Sequence, residues 1–345
     1  MENQTMPHLV NSFDSWSRLR EVVLGDVYPV EWYEHLPGEI RDVFQLITQW
    51  TKEDLDQIEK KLVDDFGIVV QRPKYNNIND HIDHQGVLRK PEITPRDFFV
   101  TLGNEFWLPK HLKNLASFQH LYQRYQSYLR IHNFEIMFNG ANVVRVGKDV
   151  FVDCVHSLPV QNIVDQQQYF EETVAPQFPD FRLHYVNNGG HLDGCFAVLK
   201  PGHLLVNHYY SDYDRTFPGW NRLTLGSPEF IGHNNSSRNK SEFDANHRWW
   251  LPGDPPVPGS FHEHVIKYAR DWVGNYTETF FEVNCLVIDE KNVMMLGENQ
   301  AVFRYLETLG ITAHPMEFRC RTFWDGGLHC LTVDIQRDGQ LATYL

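Results

Sequence analysis

The stretch "NVVRVGKDVFVD" (residues 142–153) is an apolar strand, a short Gly-Lys turn and a second apolar strand, the pattern of a β-hairpin. The pattern recurs at "FFVTLGNEFWLP" (98–109), "CFAVLKPGHLLVN" (195–207), "CLVIDEKNVMML" (285–296) and "CLTVDIQRDGQLATYL" (330–345). The segments after the hairpins recur as well. After the first comes a helical stretch, "KNLASFQHLYQRYQSYLRIHN", and then a strand, "FEIMF". After the second come "VQNIVDQQQYFEETV" and "FRLHYV", and after the fourth "ENQAVFRYLETLG" and "ITAHPM". The third has its helix late, around "HEHVIKYARDWVG". The fifth hairpin meets the end of the chain, so its helix and strand come from the start: "LREVVLG", "KEDLDQIEKKLVDDFG" and "IVVQRP". Five ββαβ units at a spacing of roughly 45 residues, the last completed by both ends, predict a closed α/β ring in a single domain over 1–345.

The composition suits such a domain. Apolar residues make up 42% and aromatics 14%, enough for a large core in 345 residues. A net charge of −14 without a basic stripe argues against nucleic acid or an anionic membrane as partner. The N-terminal "MENQTMPHLVNSFDSW" has neither a basic segment nor an apolar one, so no signal peptide is read there. Five scattered cysteines (Cys154, Cys195, Cys285, Cys320 and Cys330), never in a CxxC pair, predict free thiols in a reducing cytoplasm. His81 and His84 lack a third partner, so no metal and no cofactor are expected.

In a closed ring the residues leading into each first strand lie near the axis. Those residues are Asp97 in "TPRDFF", Asn139 and Asn142 in "FNGANVV", His191 and Asp193 in "GGHLDGCF", Glu282 and Asn284 in "FEVNC", and Cys330 after "DGGLH". A cysteine with a histidine and carboxylates is the composition of nucleophilic catalysis. Paired carboxylates match the planar fork of a guanidinium. The expected substrate is therefore a guanidino compound.

The stretches "PRDFFVTLGNEF", "NGANVVRVGKDVF", "HLDGCFAVLKPGHLLVN", "VNCLVIDEKNVMM" and "GGLHCLTVDIQRDGQLATYL" closely resemble the amidinotransferases of the arginine:glycine and inosamine-phosphate type, within the guanidino-modifying superfamily. The resemblance runs from "LREVVLG" to the last residue. It implies a five-bladed α/β-propeller of ββαβ modules with pseudo-fivefold symmetry. It also implies ping-pong transfer of an amidino group, without cofactor or metal, from a donor such as L-arginine to an amine. In this resemblance Cys330 stands at the nucleophile and His191 at the general acid/base. Asp97 and Asp193 stand at the carboxylates that grip the guanidinium, with Asn142 and Glu282 as further substrate-binding candidates.

Three departures from the family are visible. The second-module motif of the family begins Phe-Asp-Ala-Ala, and its Asp orients the histidine; here the residue is Asn139, which can accept a hydrogen bond but adds no charge. An arginine downstream of the His-x-Asp strand is replaced, by spacing, by Tyr210, and Arg215 is the alternative ligand for the donor carboxylate. Residues from about 211 to 262 are longer than the family pattern and read as a lid or acceptor-site wall. The expected function is a cytoplasmic amidinotransferase of specialised metabolism, with a small-molecule donor and acceptor and a homodimer as its assembly. The alternatives are a guanidino hydrolase of the deiminase or dihydrolase type on the same scaffold, or a weakly active ligand-binding relative.

Overall fold

The structure, a computed structural model, describes residues 9–109, 112, 114–132, 140–153, 167–186, 191–208, 212–226, 258–273, 281–324 and 326–345. Within them lie strands β1 (Leu19–Leu24), β2 (Val69–Gln71), β3 (Val100–Leu102), β4 (Glu105–Pro109), β5 (Leu129–His132), β6 (Val143–Val146), β7 (Asp149–Asp153) and β8 (Arg182–Val186). They continue with β9 (Phe196–Lys200), β10 (His203–Asn207), β11 (Asn221–Leu225), β12 (Leu286–Asp289), β13 (Asn292–Leu296), β14 (Thr312–Met316) and β15 (Thr332–Arg337).

Among the described residues these strands form five mixed three-stranded sheets, β3-β4-β5, β6-β7-β8, β9-β10-β11, β12-β13-β14 and β15-β1-β2. In each, the first strand is antiparallel to the second, and the third is parallel to the second. An antiparallel pair closes through a tight turn, whereas a parallel return needs a crossover. The β6–β7 turn is Gly147-Lys148, with Gly147 at φ 66. A side chain on Gly147 would also run into the Tyr344 ring at 2.7 Å, so the turn accepts only glycine on both counts.

Burial grades across each sheet. The first strands β3, β6, β12 and β15 are buried almost throughout. The third strands β2, β8, β11 and β14 are mostly half-buried, with exposed residues at their edges. Apolar runs such as "VVRV" and "LVID" are what strands buried on both faces require. Neighbouring sheets are stitched through their first strands. Thr101 Oγ1 donates to the Asp334 carbonyl (2.5 Å), and Arg145 Nη1 donates to Thr101 O (2.7 Å). Arg337 Nη2 donates to Val287 O (2.9 Å); the second and third sheets meet instead through a second strand, where Phe151 of β7 meets Phe196 of β9 edge to face at 6.3 Å.

Three readings of the sequence are corrected. "CLTVDIQRDGQLATYL" is not a hairpin: β15 takes β1 as its antiparallel partner, and residues 338–345 form no strand. That tail instead caps the β6–β7 turn, where Lys148 N donates to Ala342 O (2.8 Å) and Tyr344 packs edge-on against Trp16. The first crossover helix is short, Gln119–Arg124, because its buried residues Leu121, Tyr122 and Tyr125 run out there. The parallel strand is then β5, "LRIH", within the stretch read as helix; "FEIMF" lies outside the described residues. Finally, part of 211–262 belongs to the third sheet. A turn of helix, Tyr213–Thr216, leads directly into β11, which pairs in full register with β10. The helix Gly259–Tyr268 comes after a completed sheet and packs on the long helix Gly38–Asp64 through Phe261 and Phe44 (5.0 Å). Residues 227–257 lie outside the described set. Among the described residues no helix is long and apolar enough to cross a membrane.

Candidate active site

Several first strands are preceded by a tight turn, and these turns meet. Pro95–Asp97, Gly140–Asn142 and Leu192–Gly194 are single 3-10 turns, and a further turn over 327–331 carries Cys330 into β15. A tight turn before an all-buried strand directs polar side chains away from the core while keeping them out of bulk water. That is how distant polar residues come to share one site.

At the centre is Cys330, 4% exposed. Asn284 grips it twice: its Oδ1 accepts from the Cys330 backbone N–H (2.9 Å) and its Nδ2 donates to Sγ (3.0 Å). The same Nδ2 also reaches the Asp193 carbonyl at 3.3 Å. The thiol donates to Asp193 Oδ2 at 3.4 Å, and His329 Nδ1 lies 2.9 Å from that same oxygen. Of the glycine pair before the cysteine, Gly327 is a packing necessity and Gly326 a tight fit. A Cβ on Gly327 would sit 2.6 Å from the Asn284 Cβ, and one on Gly326 would sit 3.1 Å from the Cys330 Cβ.

On the open side stand His191 and Asp97, 30% and 27% exposed at their side chains, with Nδ1 and Oδ1 4.0 Å apart. Thr94 Oγ1 donates to the other Asp97 oxygen at 2.7 Å. Two carboxylate oxygens, Asp97 Oδ1 and Asp193 Oδ1, are buried without a hydrogen-bond donor among the described residues. Unpaired buried carboxylate oxygens cost free energy unless a donor arrives.

The protonation states are set by the surroundings. Burial works to raise the Asp193 pKa. The His329 hydrogen bond, with the neighbouring His191 and the Arg96 guanidinium, overcomes it and holds the carboxyl below its ordinary value. Burial and the Arg96 guanidinium push His329 down, so its neutral ring donates Nδ1–H to Asp193. Cys285 and Cys320, buried among apolar side chains, have thiol pKa values pushed up to about 12 and are inert at neutral pH. Cys195 is buried as well.

Arg96 stands behind the site, and the sequence did not reveal its part. Its Nε donates to the carbonyls of His329 (3.0 Å) and Thr332 (2.9 Å), and its Nη2 to Asp334 Oδ1 (2.8 Å). The signal available was an arginine beside Asp97 and an aspartate in the middle of the final strand, "TVDIQR". Asn284 was visible among the residues leading into the first strands, but its hold on the thiol was not.

Of the other candidates, Asn142 is buried with its Oδ1 lacking a donor among the described residues, and Glu282 is buried two residues before Asn284, its charge acting on Arg321. Arg215 is turned to the surface, 81% exposed, and pairs with Asp212 at 2.6 Å. Asn139 and Tyr210 lie outside the described residues. His81 is packed among the rings of Tyr28, Trp32 and Tyr75 rather than aimed at a ligand. Among the described residues no group of three or more His, Cys, Asp or Glu is placed to hold a metal ion.

No family model matches the chain. Solved structures share its fold. SxtG, an amidinotransferase of saxitoxin biosynthesis from Microseira wollei, superposes with a TM-score of 0.66 at 19% identity, over 98% of this chain and all of the other. Inosamine-phosphate amidinotransferase StrB1 from Streptomyces griseus gives 0.66 at 18%, over 98% and 99%. A DDAH from Pseudomonas aeruginosa gives 0.53 at 9%, over 92% and 99%. The fold is thus the mixed α/β fold of amidinotransferases and DDAH. In sequence, the mitochondrial glycine amidinotransferase of Gallus gallus is 26% identical over 215 residues, 61% of this chain and 41% of that protein. L-arginine:L-lysine amidinotransferase of Pseudomonas savastanoi pv. phaseolicola is 23% identical over 222 residues, 63% and 49%. These matches span less than half the length of those relatives; in sequence the chain is similar to amidinotransferases, and it shares their fold.

Proposed function

We propose that this protein is an amidinotransferase that moves an amidino group from a guanidino donor, L-arginine as first choice, to an amine acceptor through a Cys330-bound intermediate. The observation that carries the reading is the pair of donor-less carboxylate oxygens, Asp97 Oδ1 and Asp193 Oδ1, on turns that meet at Cys330. A guanidinium brings five N–H donors and a positive charge, which is what two such oxygens lack.

In the first half-reaction the Cys330 thiolate attacks the guanidinium carbon and forms a C–S bond. The C–N bond to the donor then breaks, and His191 protonates the departing amine. In the second half-reaction the acceptor amine attacks the S-amidino carbon, His191 takes its proton, and the C–S bond breaks to restore the thiolate. Asp97 and Asp193 hold the positive charge beside the sulfur throughout. Asn284 fixes the sulfur. We assign Asn139 to the orienting position beside His191, and Asn142, Glu282 and Tyr210 to the surrounding substrate wall; Arg215, turned to the surface and paired with Asp212, stands outside it.

The five sheets are, in the same reading, blades of a closed α/β-propeller around this site. The stitching of first strands from one sheet to the next supports it, with the Asn284–Asp193 bond joining the fourth sheet to the third.

The test is intact-protein mass spectrometry after mixing with arginine labelled at its guanidino carbon. An adduct that is lost in Cys330→Ala, with release of ornithine, is the expected result. Citrulline would move the assignment to a hydrolase, and absence of both adduct and product would remove arginine as donor.

A further inference from the structure

A cavity of about 150 Å³ lies away from Cys330, between the 3-10 turn Val30–Tyr33, the long helix Gly38–Asp64, the loop 86–88 and the segment 264–272. Its walls are ring faces. Tyr33 and Phe44 stack at 5.3 Å with 2° between planes, Trp272 meets Phe44 edge-on at 5.5 Å, and His264 lies against Tyr268 at 4.9 Å. Tyr33, Phe44 and Trp272 are themselves almost fully buried. Among the described residues no Asp, Glu, Lys or Arg lines the cavity. Burial and the neighbouring His35 push the His264 pKa down, so this ring too is neutral at pH 7.

Two facts define what would fit. The volume is that of cavities known to take a single benzene ring. The indole N–H of Trp272, a residue 2% exposed, is buried without a hydrogen-bond acceptor among the described residues. An apolar cavity explains itself, but a buried donor without a partner costs free energy and is relieved by an acceptor. We propose that this cavity is a second small-molecule site, for an uncharged aromatic ring that carries one hydrogen-bond acceptor. The charge-free lining rejects guanidinium and ammonium ions, whose desolvation nothing here would offset. The Cys330 group, walled by carboxylates, has the opposite preference, so the two sites discriminate between ligand classes by charge alone.

The experiment uses the full chain, with its nine tryptophans labelled at the indole nitrogen, titrated with phenol and separately with toluene. The expected result is a saturable shift of one indole signal with phenol, a signal absent from Trp272→Phe. That substitution keeps an apolar wall and removes the donor. Phenol binding then weakens about fivefold, the worth of one net hydrogen bond, while toluene binding changes less than about twofold. Val87→Phe, at the half-buried loop that forms the rim, fills the space and abolishes the binding of both probes. Cys330→Ala binds phenol as the wild type does, and arginine does not compete, so the outcome is independent of the catalytic reading. Absence of a saturable shift, equal phenol and toluene affinities in the wild type, or phenol binding that survives Val87→Phe each overturns the proposal.

Discussion

Two aspartates, Asp193 and Asp334, are buried to nearly the same degree, and they do opposite things. Asp334 is saturated. Arg96, Arg145 and Arg337 all donate to it, and Ser12 adds a fourth partner at 3.1 Å. Burial would raise its pKa, but the three guanidinium charges hold it well below the carboxylate range. Arg145 in turn is driven down to about 10 by its own burial despite Asp334. Asp193 has one neutral imidazole, one thiol and an oxygen left over. A buried acid whose partners are complete is architecture, and one whose partners are incomplete has room for a further donor. Arg96 links the two by contacting both Asp334 and the His329 carbonyl.

This contrast can be sharpened by experiment. The largest effect is expected at the proposed nucleophile: Cys330→Ala should lower kcat by about 10⁴-fold or more with the fold intact, as removal of a covalent nucleophile does. Unaltered turnover in that variant, measured as product formation from labelled arginine, would break the reading of the whole site.

The two aspartates should then part company. Asp334→Asn strands three buried guanidinium groups and should cost about 3–5 kcal/mol of stability in urea unfolding. Asp193→Asn should instead lower kcat/KM by about 10²–10³-fold, as loss of a charge-stabilising group in an active site does, with a far smaller change in stability. Equal destabilisation by the two would erase the distinction.

Acid separates them in another way. The folded pKa of Asp334 is depressed below its ordinary 3.8, so its contribution to stability is fully present above that value. It is lost as pH falls through the folded pKa. The Tm gap between wild type and Asp334→Asn should therefore be constant from pH 7 to about pH 5 and shrink steadily below about pH 4. A gap that persists unchanged at about pH 2 would mean that packing, rather than charge, makes the difference.

A smaller effect is expected at Asn284. Replacing it by Ala removes both hydrogen bonds to Cys330 and should slow alkylation of the thiol by iodoacetamide at neutral pH and lower kcat by about 10- to 100-fold. Asn284→Asp, which keeps the acceptor but puts a negative charge at the sulfur, should be worse than Ala. The smallest effect is expected at Arg215. Its ion pair with Asp212 is exposed, and Arg215→Ala should change stability by less than about 0.5 kcal/mol and KM by less than about twofold. A tenfold rise in KM for the donor would instead make this arginine part of the substrate wall.

Much of the architecture was legible because hairpins advertise themselves through local chemistry. An apolar run, a glycine turn and a second apolar run are readable at 142–153 without any knowledge of neighbours. The residues leading into those strands, Asp97, His191, Asp193, Asn284 and Cys330, could be picked out for the same reason, since their position depends only on where a strand starts. The misreadings came where pairing is non-local. β15 found its partner about 300 residues away in β1, and "LRIH" became a strand because β4 offered an edge, against a helical periodicity that continued through it.

By itself, then, the chain determined the order of its modules and which residue types stand at their mouths. Only the tertiary structure decided which of two buried aspartates is satisfied. It also decided that Asn284 holds the sulfur and that the indole N–H of Trp272 is left without an acceptor among the described residues. The physical reason is the same in each case. Hydrogen-bond completeness is a property of groups brought together from distant segments, and no local pattern records which donor will reach which acceptor.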